Sequence, residues 1–230
     1  MLMRRLVALI FFSLASAAAL AEMPPFALEF EVSRNGKPLG EATLTLERLN
    51  SDAWLFRSHT EGTRGMASLA GVDIDERSEF RWTDGKPQTL RYSFIQKMRF
   101  NSKQRALSIM PNVERVSGRD GDEDFTLPYE AGLLDRNLVV LALAVDLAQN
   151  VEKLEYRVAD KRRIESNQYR VAGTEKLETP RGVLDAIRVE RVRRGSGRQT
   201  TTWIAPSLGY LPVRIRQIEP DGDTLDMTLR

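Results

Sequence analysis

The chain has 230 residues, 34 Lys+Arg against 32 Asp+Glu, a single histidine and no cysteine. That length suits one domain burying a substantial core without disulfides, with no repeat, low-complexity stretch or linker to mark an internal boundary. Lack of cysteine and of a second histidine removes Cys-His chemistry and most zinc sites.

Met1 to Arg5 is a short cationic start, Leu6 to Leu20 is apolar and uncharged, and Ala19-Leu20-Ala21 has the small-x-small form that signal peptidase accepts. Residues 1–21 are therefore expected to be a signal peptide, with the mature domain starting at Glu22. A run of about 15 apolar residues falls short of the ~20 that span a bilayer. With no cysteine to acylate, the expected product is periplasmic, not lipidated, and without an integral membrane segment after cleavage. Arg4 and Arg5 leave with the signal, which holds no acid, so both signs balance at 32 in the remainder. Such a chain has no whole-molecule field to draw in nucleic acid.

The mature chain opens on alternation. Phe26, Leu28, Phe30 and Val32 fall on one face and Glu29, Glu31 and Ser33 on the other, the pattern of a half-buried strand. Asn35-Gly36 tolerates positive φ, and Ala42, Leu44 and Leu46 then alternate with polar residues, predicting a β-hairpin. Alternation continues through Trp54 to Thr60, Ile74 to Trp82, the turn Asp84-Gly85, and Leu90 to Ile95. Short turns between sequential strands predict an antiparallel meander.

After Met110 the chain turns polar through Ser117 to Asp124. This run lacks the Asp-x-Asp-x-Asp-Gly order and distal Glu of an EF-hand, so a solvated hairpin end is expected rather than a calcium loop, and no metal site is assigned. From Leu133 to Asn150 the period becomes helical and apolar nearly all round. A helix over 133–149 is expected to be buried, and at ~16 residues it is too short to cross a bilayer. Strands resume at Leu154 to Val158, Gln168 to Val171, Ala186 to Val192, Gln199 to Ile204, Leu211 to Ile218 and Thr224 to Leu229, punctuated by Gly and Pro at hairpin intervals. Pro212 cannot donate to a ladder and belongs at an edge or a strand start. The expected fold is mainly β: a large antiparallel curved sheet or unclosed barrel of about ten strands, with one buried apolar helix on its concave side.

The densest basic stretch, Arg188 to Arg198, alternates Arg with Ile187, Val189 and Val192. It reads as the solvated face of a strand and its turn, the other reading being a patch for anionic headgroups or polysaccharide. The lone His59 lies in a strand, and no Gly-x-Ser-x-Gly elbow is present to supply a nucleophile. No catalytic residue and no cofactor are assigned.

Glu178-Thr179-Pro180-Arg-Gly182, the run from Thr201 through Trp203, Pro206, Gly209, Tyr210, Pro212 and Arg214 to Ile215, then Asp221-Gly222 and Leu225 to Leu229, resemble a bacterial envelope family known as domain of unknown function 3108. The resemblance covers most of the mature chain. The shorter pattern of Trp203, Pro206, Gly209, Leu211-Pro212 and Arg214 is also similar to the ending of periplasmic lipoprotein carriers of the LolA/LolB type. That likeness implies an unclosed antiparallel barrel plugged by helices, with acyl chains held inside. Those carriers are shorter and organise their helices differently, so only the architecture is carried over.

Two functions follow. One is a non-catalytic periplasmic binding or carrier protein for a hydrophobic ligand, lipid or lipoprotein, held between sheet and helix. Its cavity would be lined by Phe30, Trp54, Phe56, Trp82, Phe94, Leu141 and Trp203, because alternation puts one face of every strand inside. The other is a structural or adaptor protein with a filled core that engages an envelope partner through its surface.

Overall fold

A computed structural model describes residues 23–230 other than Arg194 and Ser196; the expected signal peptide lies outside the described residues. Fifteen strands form one sheet: β1 (Phe26–Arg34), β2 (Lys37–Arg48), β3 (Trp54–Glu61), β4 (Asp73–Thr83), β5 (Lys86–Met98), β6 (Asn101–Met110), β7 (Arg115–Asp120), β8 (Glu123–Pro128), β9 (Leu134–Asp135), β10 (Leu154–Asp160), β11 (Arg163–Thr179), β12 (Gly182–Val192), β13 (Gln199–Ala205), β14 (Leu211–Ile218) and β15 (Thr224–Leu229). Their spatial order is β8 to β1 followed by β15 down to β9. The meander thus runs outward in both directions from the pairing of β1 with β15, where Phe30 lies opposite Leu229. All neighbours are antiparallel except β9, which lies parallel to β10. The sheet keeps two edges, β8 and β9, and does not close into a barrel.

Asn35 and Gly36 both take positive φ in the first turn, as their side chains allow. The polar run at 117–124 is the β7–β8 hairpin, with Asp120 held by Arg105 and Asp124 by Arg119. Pro212 pairs with Ile204 at the second position of β14, beside a bulge between Trp203 and Ile204 that absorbs the missing donor.

The helix is shorter than expected. α2 covers Val139–Ala148; Leu134 and Asp135 form β9 instead, and a five-residue α1 (Gly65–Leu69) also appears. Helical period in apolar residues does not say where a helix begins. Here the Asp135 carboxylate accepts from the backbone N–H groups of Asn137 at 2.9 Å and Leu138 at 3.1 Å, fixing a start that only tertiary placement of Asp135 provides. The far end closes at Asn150, whose φ of 55° is left-handed.

Two apolar cores result. The larger joins the inner faces of β1–β4 and β10–β15 to α2, with Phe30, Phe56, Phe80, Leu138, Leu141, Val158 and Val189 almost wholly buried. The smaller lies under β5–β8 and contains Tyr92, Phe94, Leu107, Ile109, Val116, Leu133 and Ala159. Neighbours Val158 and Ala159 on β10 point to opposite sides and enter different cores. The β9–β10 end of the sheet is therefore rolled inward, between the two.

Candidate functional site

Polar side chains hold that roll in place. Asp135 Oδ1 accepts from Ser78 Oγ of β4 at 2.8 Å, and Oδ2 accepts from Thr89 Oγ1 of β5 at 2.9 Å, while Thr89 Oγ1 accepts from Asp135 N. Asn137 donates to Ser78 and to the carbonyl of Phe56. Arg136 donates to Glu76 and lies 5.5 Å over the Phe94 ring. Burial pushes the Asp135 carboxyl up to about 6, against the pull of its four hydrogen bonds. A second tether anchors α2: Asp146 accepts from Tyr156 at 2.9 Å, and Lys86 Nζ lies 3.1 Å from its other oxygen.

Between this clasp and strands β11–β15 opens a solvent-facing cleft of about 950 Å³. Its apolar wall is Leu44, Phe56, Val140, Val158, Ile215 and Met227, drawn from both arms of the sheet and from α2. Apart from Val192 and Tyr169, the rest of the lining is charged or polar, with Arg136, Lys161, Arg163, Arg191, Arg193 and Arg198 facing Glu76, Asp160 and Glu165. Strand parity explains which arginines arrive. Arg188 is opposite Trp203 on the outer face and donates to Glu175, whereas Val189 is opposite Thr202 on the inner one. Arg191 follows Val189 at a step of two and so turns inward, and Arg193, just past the end of β12, lines the cleft beside it. The basic stretch is therefore divided between two faces, where a single solvated face is expected from composition alone.

Of the seven side chains expected to line a cavity, Phe56 reaches the cleft. Phe30, Trp54 and Leu141 are buried in the larger core, and Trp82 packs edge-on to Trp54 and Phe80, with ring centroids 6.5 and 5.2 Å apart. Phe94 belongs to the smaller core beneath Arg105 and Arg136. Trp203 is also buried in the larger core cluster, on the sheet face that carries Arg214 and Arg216 over its ring, with its Nε1 donating to Glu175 at 2.9 Å. Aromatics alternate correctly in the sequence, yet alternation cannot say which of the two faces is inner, nor which inner residues meet other side chains and which meet a void.

The cleft residues that the sequence does not single out are polar ones such as Glu165, Asn167 and Thr200, whereas Arg191 and Arg193 belong to the Arg188 to Arg198 stretch whose other reading is a patch for anionic headgroups. For Arg191 the signal is its step-of-two parity with the inner Val189. His59 falls on the outer face, opposite in parity to the cleft-lining Ser58, with Nδ1 4.0 Å from Asp75.

None of the curated proteins compared with the chain matches it. A solved structure from Brucella abortus, described as a beta-barrel-like protein of domain of unknown function DUF1849, is similar with a TM-score of 0.59 over 91% of this chain and 97% of that one, at 6% identity. At that identity the likeness concerns the fold, and it places this sheet among barrel-like architectures. The family model described as "Protein of unknown function (DUF3108)" matches residues 29–230, so the chain belongs to that family.

Proposed function

We propose that this protein is a non-catalytic carrier of the bacterial periplasm that holds a ligand with an apolar chain in the cleft between the sheet arms and α2. The supporting observation is the cleft itself: about 950 Å³, within the range of small-molecule sites, with one apolar wall shared by β2, β3, β10, β14, β15 and α2. Export rests on the N-terminal cationic, apolar and Ala-x-Ala-like sequence. Lipid extracted from protein purified from its host and analysed by mass spectrometry tests the reading directly. A co-purifying acyl chain, lost in Val140→Trp, supports it; lipid-free protein that also takes up no fluorescent acyl chain would refute it.

One observation favours the adaptor reading. Met66 and Leu69 of α1 and Phe100 of the β5–β6 turn are 76%, 65% and 94% exposed, and the Arg99 N–H to Ala70 carbonyl bond of 2.8 Å ties the two segments together. Such an apolar tip suits contact with an envelope partner. Under that reading Phe100→Ser abolishes partner capture while leaving ligand binding unchanged.

A further inference from the structure

Four buried polar atoms without a hydrogen-bond partner among the described residues belong to side chains that line the cleft: Arg191 Nε, Arg193 Nε, Thr200 Oγ1 and Asp160 Oδ1. Such atoms are uncommon because each forgoes its bonds to water. Several sharing one cavity mark a place where a ligand completes the set. Of the other cations of the cleft, Arg136 pairs with Glu76, Arg163 with Glu165 and Arg198 with Glu219, while Lys161 on the β10–β11 turn has no hydrogen bond or ion pair among the described residues. Arg191 is held by Asn167, with Glu165 at 3.7 Å, but only through its terminal nitrogen, leaving Nε uncommitted. Arg193 has neither a hydrogen bond nor an ion pair among the described residues. Burial first, then Arg191 and Arg198 beside it, hold its guanidinium below the ordinary value against the weaker opposing pull of Tyr169 and Glu165.

We propose that Arg191 and Arg193, with the Thr200 hydroxyl, form the seat for the anionic headgroup, carboxylate or phosphate, of an amphiphile whose acyl chain lies along the apolar wall. This rests on the carrier reading and names its ligand class. Guanidinium N–H groups suit such an anion because charge-assisted bonds are about twice as strong as neutral ones. Asp160, an acceptor that an anion does not satisfy, lies outside this donor set and acts electrostatically on Arg136.

Titration calorimetry with laurate, lauroyl lysophosphatidylglycerol, uncharged monolaurin and inorganic phosphate tests this. Wild type is expected to bind both anionic amphiphiles at least about tenfold more tightly than monolaurin, one charge-assisted contact's worth. Arg193→Gln should cut that preference to about twofold without changing monolaurin affinity, and Arg193→Lys should restore part of it. Equal affinity for laurate and monolaurin in wild type would overturn the headgroup seat and leave the carrier reading intact. No binding of any chain would overturn both. Phosphate binding as tightly as the lysolipid would overturn the amphiphile in favour of a free anion.

Discussion

Asp135 and Arg193 are both polar side chains on the inner side of one curved sheet, and they differ in how completely the protein itself answers them. Around Asp135, two hydroxyls and two backbone N–H groups converge on the carboxylate within 2.8–3.1 Å. Around Arg193, no hydrogen-bond or ion-pair partner stands among the described residues, and two more arginines outweigh the pull of Glu165. A closed network of this kind specifies structure; an open one of the same polarity leaves its bonding capacity for something else. The difference tells which buried polar groups hold the roll of the sheet and which are candidates for recognition.

The largest effects should come from the closed side. Leu141→Asp places an unpaired charge among the apolar contacts of α2, with an expected loss of about 3–5 kcal/mol read from a urea midpoint. Asp135→Ala strands two hydroxyls and two N–H groups and should cost about 2–4 kcal/mol, with loss of the near-ultraviolet tyrosine signal of the smaller core preceding global unfolding if β9 is the clasp. A loss under about 1 kcal/mol would show that the roll is held by apolar packing alone.

A subtler test uses pH. Burial raises the Asp135 carboxyl from 3.8 to about 6, so the folded state binds its proton more readily than the unfolded one. The stability this group contributes is then fully present below pH 3.8 and lost as pH rises through 6. Glu76, Arg136 and Tyr92 face the same region, so the comparison is made against Asp135→Asn. Wild type should gain about 1 kcal/mol on that variant between pH 7.5 and pH 5. Parallel profiles would assign the pH dependence to the neighbours.

Smallest is the effect expected at the open side. Arg193→Gln removes crowded like charge and no bond made within the described protein, so its unfolding midpoint should stay within about 0.5 kcal/mol of wild type or rise. A drop above 1 kcal/mol would mean that Arg193 is structural and would erase the contrast with Asp135.

How far these features were legible in advance varies by residue. Strands β14 and β15 run over the spans read from their alternation, Leu211–Ile218 and Thr224–Leu229, because each is bounded by Gly or Pro turns. β11 is 17 residues long where only Gln168 to Val171 alternated clearly, because a bulge at Gly173 breaks the parity midway. The start of α2 at Val139 is not legible because Leu133 and Leu134 are as apolar as the helix. An aromatic cavity lining and an aromatic core are indistinguishable in sequence for the same reason: burial of an apolar side chain looks alike whether it meets a neighbour or a ligand.

By itself the sequence determined the meander, its turns, the buried helix and the membership in a family, since period, Gly/Pro chemistry and motif spacing are local and survive without knowledge of distant contacts. The tertiary structure alone decided that the β9–β10 end rolls between two cores, that Asp135 closes a network with Ser78 and Thr89, and that Arg191 and Arg193 look into a cleft beside Met227. Those pairings join residues 46 to 57 positions apart for the clasp, and still farther apart across β1 and β15. No periodicity records such separations. They follow from the curvature of the whole sheet, which sets what each inward side chain meets.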